Sequence, residues 1–291
     1  MRSVAGNLVG SGLRLTREMG ESIGVSRANQ DLKLGVRISP RDASPSALAD
    51  CVALAQRAEA LGLGWVGVAE RFDARGGVPD ALSVCAAFGA ATSRIRIATA
   101  ALPLPLHHPL RVAEYAATID ALSGGRLELG VGLGAALTPF ASFGLEVDER
   151  AERFTEALAI LRAGFSDAPF TFRGKHFACE DVSVFPKPAQ PGGPPLWLAA
   201  SAPSALRRAA QLGVGAMLPA SADAAPYLAA CAEAQTQARV VLLADAGTSA
   251  AALELAHARC AGAGEVVLAL DAASERELER AAELNSRWRS A

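Results

Sequence analysis

Residues 94–133, RIRIATAALPLPLHHPLRVAEYAATIDALSGGRLELGVGL, contain one complete unit of strand, helix and strand. Short β-rich runs at 94–102 and 126–133 flank a stretch of helical period from Arg111 to Leu122. A strand that is followed by a helix and then by a second strand is typical of parallel pairing. This unit therefore predicts an α/β fold with a parallel sheet.

The same alternation continues on both sides of this unit. Six further β-rich runs lie at 32–38, 65–70, 194–200, 213–219, 239–245 and 265–271, which brings the total to eight. Eight such units in roughly 250 residues are typical of a (β/α)₈ TIM barrel, which we favour over a doubly wound open sheet. We expect residues 1–31 to form an N-terminal extension and residues 32–291 to form the barrel.

Helical period is found in most of the gaps between these runs. Further helices are expected at 148–164, 204–212, 224–238, 249–261 and 274–288. The first helix should begin at Ser44 or Ser46 and stop at Gly62. Its apolar face is predicted to consist of Leu48, Cys51, Val52, Ala55, Ala58 and Leu61.

The composition narrows the class of protein. The chain has 291 residues, of which 51% are hydrophobic and 20% charged, and its formal net charge is −2. Without a basic stripe, nucleic acid is not an expected partner, and charges or prolines interrupt every apolar run that could span a membrane. The five cysteines form no CxxC pair, and the four histidines lack metal-ligand spacing. We expect a cytoplasmic protein that binds a small molecule and no metal.

In such a barrel, the chemistry lies at the carboxyl ends of the strands. Gly130, Gly132 and Ala135 match the dinucleotide pattern G-x-G-x-x-G/A, but no helix follows at once, so we reject that interpretation. Gly132 and Gly134 either let a flat or anionic ligand approach the backbone or form a steric turn. The small residues at 99–101 leave room for a planar ring or allow close helix packing. His107 and His108 are interpreted as residues of a helix start.

Several segments together resemble the bacterial luciferase-like flavin and deazaflavin oxidoreductases. They are ALGLGWVGVAE, ATSRIRIATAALPLPLHHPLRVAEYAATIDALSGGRLELGVGLG, FGLEVDERAERFTEALAILRAGF, FRGKHF and FPKPAQPGGPPLWLAASAPSALRRAAQLG. The resemblance implies a luciferase-like barrel that binds FMN or the deazaflavin coenzyme F-420 (8-hydroxy-5-deazaflavin), and a homodimer. It also implies a non-prolyl cis peptide between Ala100 and Ala101. The implied cofactor-binding residues are Thr99, Ala100, Ala101, Gly132, Gly134, Ser201, Ala202 and Ser204.

The chain departs from this family's pattern at two positions. Many members have Glu-His where this chain has Glu70-Arg71, and some have Arg where it has Leu133. Arg71 and Glu70 are therefore the candidate catalytic residues. Arg71 either stabilises negative charge on a ring or substrate, or forms an ion pair with Glu70 or Asp73. Glu70 either takes part in catalysis or only braces the barrel mouth.

The resemblance implies an oxidoreductase or monooxygenase that acts on a small organic substrate by hydride transfer or by flavin-mediated oxygen activation. The alternative is a non-catalytic flavin-binding barrel that has lost the family's histidine and arginine. None of the three lysines, Lys33, Lys175 and Lys187, lies at the carboxyl end of a strand, so an unrelated barrel enzyme with a Schiff-base lysine is not favoured.

Overall fold

The computed structural model describes residues 32–40, 42, 44–72 and 79–289. Its strands, in chain order, are β1 (Leu32–Ile38), β2 (Trp65–Val68), β3 (Arg96–Pro103), β4 (Leu127–Gly132), β5 (Phe170–Arg173), β6 (Ala178–Val182), β7 (Leu196–Ala199), β8 (Gly215–Pro219), β9 (Arg239–Ala244) and β10 (Glu265–Ala272). Eight of them form a closed parallel barrel in the order β1-β10-β9-β8-β7-β4-β3-β2. The predicted (β/α)₈ barrel is therefore confirmed, and the extension predicted for residues 1–31 lies outside the described residues.

Helices surround the barrel. Within the described ranges they are α1 (Pro45–Ala60), α2 (Ala81–Ala91), α3 (Pro109–Leu122), α4 (Thr138–Ser142), α5 (Arg150–Gly164), α6 (Pro203–Gln211), α7 (Ala225–Ala234), α8 (Ala250–Ala258) and α9 (Glu275–Arg289). No helix in the described part of the chain is both long and apolar enough to cross a membrane. The thiols of all five cysteines are unpaired, and four of them are buried.

The first helix shows how the sequence sets local structure. Ser44 is its N-cap and accepts a hydrogen bond from the N–H of Ala47, and Gly62 follows its end with a φ of 77°. Both boundary predictions are confirmed. The predicted apolar face is partly wrong, because Leu48 is 40% exposed while Ala47 and Leu54 are buried. The core-facing stripe is rotated slightly toward Ala47 because that side of the helix lies against the barrel.

Four elements were not predicted from the sequence: the helices α2 and α4 and the strands β5 and β6. The helix α2 has the sequence ALSVCAAFGAA, which is apolar nearly all round and so gives no helical period. The antiparallel pair β5–β6 is a hairpin that lies outside the barrel, between α5 and β7. Its residues are mostly half-buried or exposed, so it lacks the continuous apolar run of a barrel strand.

Two tryptophans fill the middle of the barrel. Trp65 and Trp197 are fully buried and form an interior cluster with small and aliphatic residues of five strands. A Cβ atom at Gly215 would overlap the ring of Trp197, and one at Gly67 would overlap the ring of Trp65. The glycines on the strands thus make room for the rings, and the barrel interior is closed at this level.

The amino-terminal end of the barrel is held by paired polar groups. Lys33 Nζ lies 2.7 Å from Glu265 Oε1. Arg96 Nε and Trp65 Nε1 donate to the two carboxylate oxygens of Glu128 at 2.8 and 3.0 Å. Since each of these side chains begins near the start of its strand, this network closes the end of the barrel opposite to the one where TIM-barrel chemistry occurs.

Candidate active site

A cavity of about 590 Å³ opens at the carboxyl ends of the strands. Its walls come from the ends of β1, β2, β3, β4, β7 and β10 and from the loops that follow β2 and β4. This volume lies in the range of small-molecule sites, about 300–1,000 Å³. Most of the lining residues are Ala, Gly, Pro, Leu or Phe, with Arg37, Ser39, Glu70, Arg71 and Asp271 as the polar members.

The wall formed by β3 contains the predicted cis peptide. The bond between Ala100 and Ala101 is cis, and the pairing of β3 with β4 shifts register between Thr99 and Leu102. Ala101 lines the cavity, whereas Ala100 is 2% exposed and belongs to the interior cluster. Thr99 is fully buried and donates its hydroxyl to the carbonyl of Gly130 at 2.7 Å. Of these three residues, the structure therefore brings Ala101 to the cavity surface.

The three glycines of β4 and its following loop have three different roles. A Cβ at Gly130 would overlap the carbonyl oxygen of Thr99, so this glycine is required by the barrel itself. Gly134 has a φ of 84°, which favours glycine, so it forms a turn. At Gly132, a Cβ would meet Ala199 at no less than 3.5 Å, an ordinary contact. Neither the backbone geometry of Gly132 nor the packing of the residues that the structure describes explains this glycine, which faces the cavity.

The carboxylate of Glu70 is enclosed beneath the cavity wall. Its Oε1 lies 2.6 Å from Nε2 of His107, and its Oε2 accepts a hydrogen bond from the N–H of Ala81 at 3.0 Å. The side chain of Glu70 has no exposed surface, whereas that of His107 is 22% exposed. This arrangement braces the loops after β2 and β3.

His107 and His108 precede Pro109, the first residue of α3, so their position at a helix start is confirmed. His108 is the N-cap, without a side-chain capping bond, while the ring of His107 pairs with Glu70. No local pattern in the sequence indicates this pair, since its members are 37 positions apart.

Arg71 and Phe72 reach the rim of the cavity from the end of β2. Both are exposed and both line the cavity. The ring of Phe72 makes an edge-to-face contact with that of Phe143, with centroids 5.1 Å apart, so an aromatic pair joins the loops after β2 and β4. Asp73, one of the ion-pair partners suggested for Arg71, lies outside the described residues.

The residues predicted to bind the cofactor phosphate lie at the start of α6. Ala202 is its N-cap, no side chain caps it, and Ser201, Ala202 and Ser204 are exposed. They follow Ala199, which lines the cavity at the end of β7. Free N–H groups at a helix start are suited to binding an anion. Leu133 stands on the cavity wall between Gly132 and Gly134.

Sequence reasoning missed an ion pair on the opposite wall. Arg37 and Asp271 are direct neighbours in the register of β1 and β10. Arg37 Nε and Nη2 donate to the two carboxylate oxygens of Asp271 at 2.6 and 2.7 Å, and both side chains line the cavity. An Arg near the carboxyl end of a mostly apolar strand was the available signal, but its partner is 234 positions away.

The closed barrel and the cavity at its carboxyl end define the class, a TIM-barrel protein with a cavity of the size of small-molecule sites. Residues 32–289 match the family described as luciferase-like monooxygenase. This covers most of the chain, and the protein therefore belongs to the luciferase-like family of flavin- and F-420-dependent oxidoreductases.

Three individual proteins illustrate what this chain is similar to. An F420-dependent glucose-6-phosphate dehydrogenase of Kineococcus radiotolerans is 33% identical over 199 residues, which are 66% of this chain but only 57% of that protein. The monooxygenase RslO1 of Streptomyces bottropensis has the same fold, with a TM-score of 0.74, 22% identity and coverage of 88% of this chain and 98% of that one. The oxygenating constituent of 3,6-diketocamphane monooxygenase of Pseudomonas putida, solved with FMN, has a TM-score of 0.64 and 18% identity over 72% of this chain and 67% of that one.

Proposed function

We propose that this protein binds a reduced or oxidised deazaflavin or flavin and catalyses hydride transfer between its ring and a small organic substrate. The single observation that carries the proposal is Gly132, a cavity-facing glycine for which the protein itself gives no reason. Coenzyme F-420 is the first candidate, because the relative with 33% identity is named an F420-dependent enzyme. FMN, present in one protein of the same fold, is the second.

The residues of the cavity fit a flat ring. Gly132 and Ala199 are the last residues of β4 and β7, and Ala101 lies two residues before the end of the neighbouring β3. None of the three carries a side chain larger than a methyl group. A planar tricyclic ring can lie against such a wall, and the cavity leaves space for a small substrate beside it. When bound, the cofactor would supply the redox chemistry, and the protein would orient it and exclude water.

The polar residues have separate proposed roles. The backbone N–H groups near Gly134 and at Ser201, Ala202 and Ser204 would hold the cofactor's phosphate, since Leu133 provides no cation there. Arg71 at the rim would stabilise negative charge on the ring or on the substrate. Glu70 would act indirectly, by fixing the loop that carries Arg71.

A cofactor titration tests this proposal. The full chain is titrated with F-420 and with FMN, each oxidised and reduced, and binding is followed by the absorbance and fluorescence of the ring. In parallel, Gly132→Val should weaken binding at least about tenfold because its side chain occupies the ring's place. Ala121→Val, on the exposed side of α3, is the matched control and should bind as the unmodified protein does.

The outcomes separate the candidate functions. Tight binding together with substrate-dependent oxidation of the ring supports the enzyme. Binding without turnover of any substrate supports the non-catalytic barrel. Binding of neither cofactor, or equal binding by Gly132→Val, contradicts the proposal.

Three further points belong to the same proposal. The division into an extension (1–31) and a barrel (32–291), a cytoplasmic location and a homodimer follow from the sequence and the resemblance to relatives. Light scattering on the purified full chain would measure the oligomeric state directly. The substrate of the relative named above is not carried over, because the match spans little more than half of that protein.

A further inference from the structure

The ion pair Arg37–Asp271 faces the wall of small residues from across the cavity. In the closed barrel, β1 lies opposite β7, and β10 lies opposite β4. Arg37 and Asp271 therefore stand across the cavity from Ala199 and Gly132. If a ring lies against that wall, as the proposed function requires, the substrate is enclosed between the ring and this ion pair.

The geometry of the pair limits what it can bind. Asp271 uses Nε and Nη2 of Arg37 in a side-on bidentate pair, and the two side chains are only 24% and 30% exposed. The guanidinium has five N–H groups, and this pair occupies two of them. Arg37 can thus donate a hydrogen bond to a neutral oxygen atom without losing its carboxylate partner.

An anionic substrate would meet a less favourable environment. A carboxylate or phosphate near Arg37 would lie beside the carboxylate of Asp271, and like charges at short range in a half-buried site repel. Among the described lining residues, the positive charges of Arg37 and Arg71 are matched by the negative charges of Glu70 and Asp271. Close to Arg37, whose charge is balanced by that of Asp271, the wall therefore provides no excess of positive charge to compensate a bound anion.

We propose that Arg37 and Asp271 are specificity-determining residues that select a neutral, mainly apolar ketone or the corresponding secondary alcohol and reject carboxylated and phosphorylated substrates. This rests on the proposed function for its reaction. A ketone gains a hydride at the carbonyl carbon from the reduced ring and a proton at the oxygen from water, and becomes the alcohol, while the ring is oxidised. The apolar remainder of the cavity suits the hydrocarbon part of such a molecule.

A matched pair of ketones tests the charge selection by binding alone. 4-Methylcyclohexanone and 4-oxocyclohexanecarboxylate have the same ring and carbonyl and differ in a methyl group against a carboxylate. Their dissociation constants are measured by calorimetry on the full chain, with and without bound cofactor. The unmodified protein should bind the neutral ketone at least about tenfold more tightly than the carboxylate.

Two substitutions should move this preference in opposite directions. Asp271→Asn leaves the charge of Arg37 without its partner and should shift the ratio toward the carboxylate by about tenfold. Arg37→Gln leaves the charge of Asp271 alone and should shift the ratio further toward the neutral ketone. Glu265→Gln is the matched control, since it removes the carboxylate partner of Lys33 on the same two strands at the closed end of the barrel, and it should not change the ratio.

The possible results are distinguishable from those of the cofactor titration. A preference of the unmodified protein for the carboxylate, failure of both ketones to bind, or an unchanged ratio in both variants would overturn the inference. If Asp271→Asn does not fold, as judged by circular dichroism, Arg37→Gln decides the question by itself. If the unmodified protein binds neither cofactor, the proposed function is contradicted. The ratio of the two dissociation constants, measured on the cofactor-free protein, still tests the charge selection in that case.

Discussion

At the amino-terminal end of the barrel, polar side chains bind one another and the backbone, whereas at the carboxyl end small side chains leave a cavity open. The guanidinium of Arg126 illustrates the first kind of region: it donates to Ser123, Thr92, Ile95 and Gly89 through five hydrogen bonds. Gly132 illustrates the second, because its missing side chain leaves space that no group of the described residues fills. One end of the barrel is thus built for stability and the other for a ligand.

The same difference applies to one of the segments that carry the family resemblance. The segment DALSGGR (120–126) belongs to the closed end, where Asp120 accepts hydrogen bonds from the backbone N–H groups of Leu127 and Gln190 and from the side chain of Gln190. These contacts join the end of α3 to β4 and to the segment before β7. This segment therefore stabilises the closed end of the barrel and does not reach the cavity.

The largest effect is expected for Gly130→Ala, which places a Cβ against the carbonyl oxygen of Thr99 within the barrel. The backbone would have to move, so we expect a loss of about 3 kcal/mol in the free energy of unfolding. Chemical denaturation followed by circular dichroism measures it. A variant as stable as the unmodified protein would show that β3 and β4 have room to separate.

The next largest effect is expected for Arg126→Met at the closed end. The substitution keeps an unbranched side chain in place of the aliphatic part of Arg126 but leaves the carbonyl groups around the guanidinium without their donor, which should cost about 2 kcal/mol. Denaturant unfolding measures the loss. Arg94→Met, at an exposed position on the same end, is the control and should change little. Equal effects of the two substitutions would mean that charge, and not hydrogen bonding, matters here.

A smaller effect that depends on pH is expected for Glu59→Gln. Burial alone would raise the pKa of Glu59, but the N–H groups of Arg94, Ile95 and Ser93 and the hydroxyl of Ser93 outweigh this and lower its pKa to about 2. A lowered pKa in the folded state stabilises the protein above the ordinary carboxyl pKa, and this stabilisation disappears as the pH falls toward the folded value.

Near pH 7, the free energy of unfolding of the unmodified protein should therefore be about 1 kcal/mol larger than that of Glu59→Gln. The difference should shrink as the pH falls from about 4.5, the ordinary value, to about 2. Thermal unfolding across this pH range is the measurement. Glu233→Gln, at an exposed position, should give no such trend, and a constant difference at all pH values would contradict the assignment to Glu59.

The smallest effect on stability is expected for Gly132→Ala, two residues after Gly130. Its methyl group enters the cavity at ordinary contact distances, so the free energy of unfolding should stay within about 0.5 kcal/mol of that of the unmodified protein. A clear destabilisation would show that Gly132 belongs to the closed part of the barrel. Together with Gly130→Ala, this variant locates the boundary between the two regions on a single strand.

The strands could be predicted because each is a short apolar run bounded by turn residues, a pattern that barrel strands share since both of their faces are buried. The apolar helix α2 was missed for a related reason, because a helix buried on most of its surface shows no period. At the site, Gly132 was recognised as a candidate for ligand approach, but the sequence did not separate its role from those of Gly130 and Gly134.

The sequence by itself determined the alternation of strands and helices, the number of barrel strands and the family, because these depend on local periodicity and on motifs that are contiguous in the chain. Only the tertiary structure decided which polar groups meet. Closure of the barrel pairs β1 with β10 and so brings Arg37 to Asp271, and the loops after β2 and β3 bring Glu70 to His107. Such pairs are absent from any local pattern because their hydrogen bonds depend on distances in space and not on spacing along the chain.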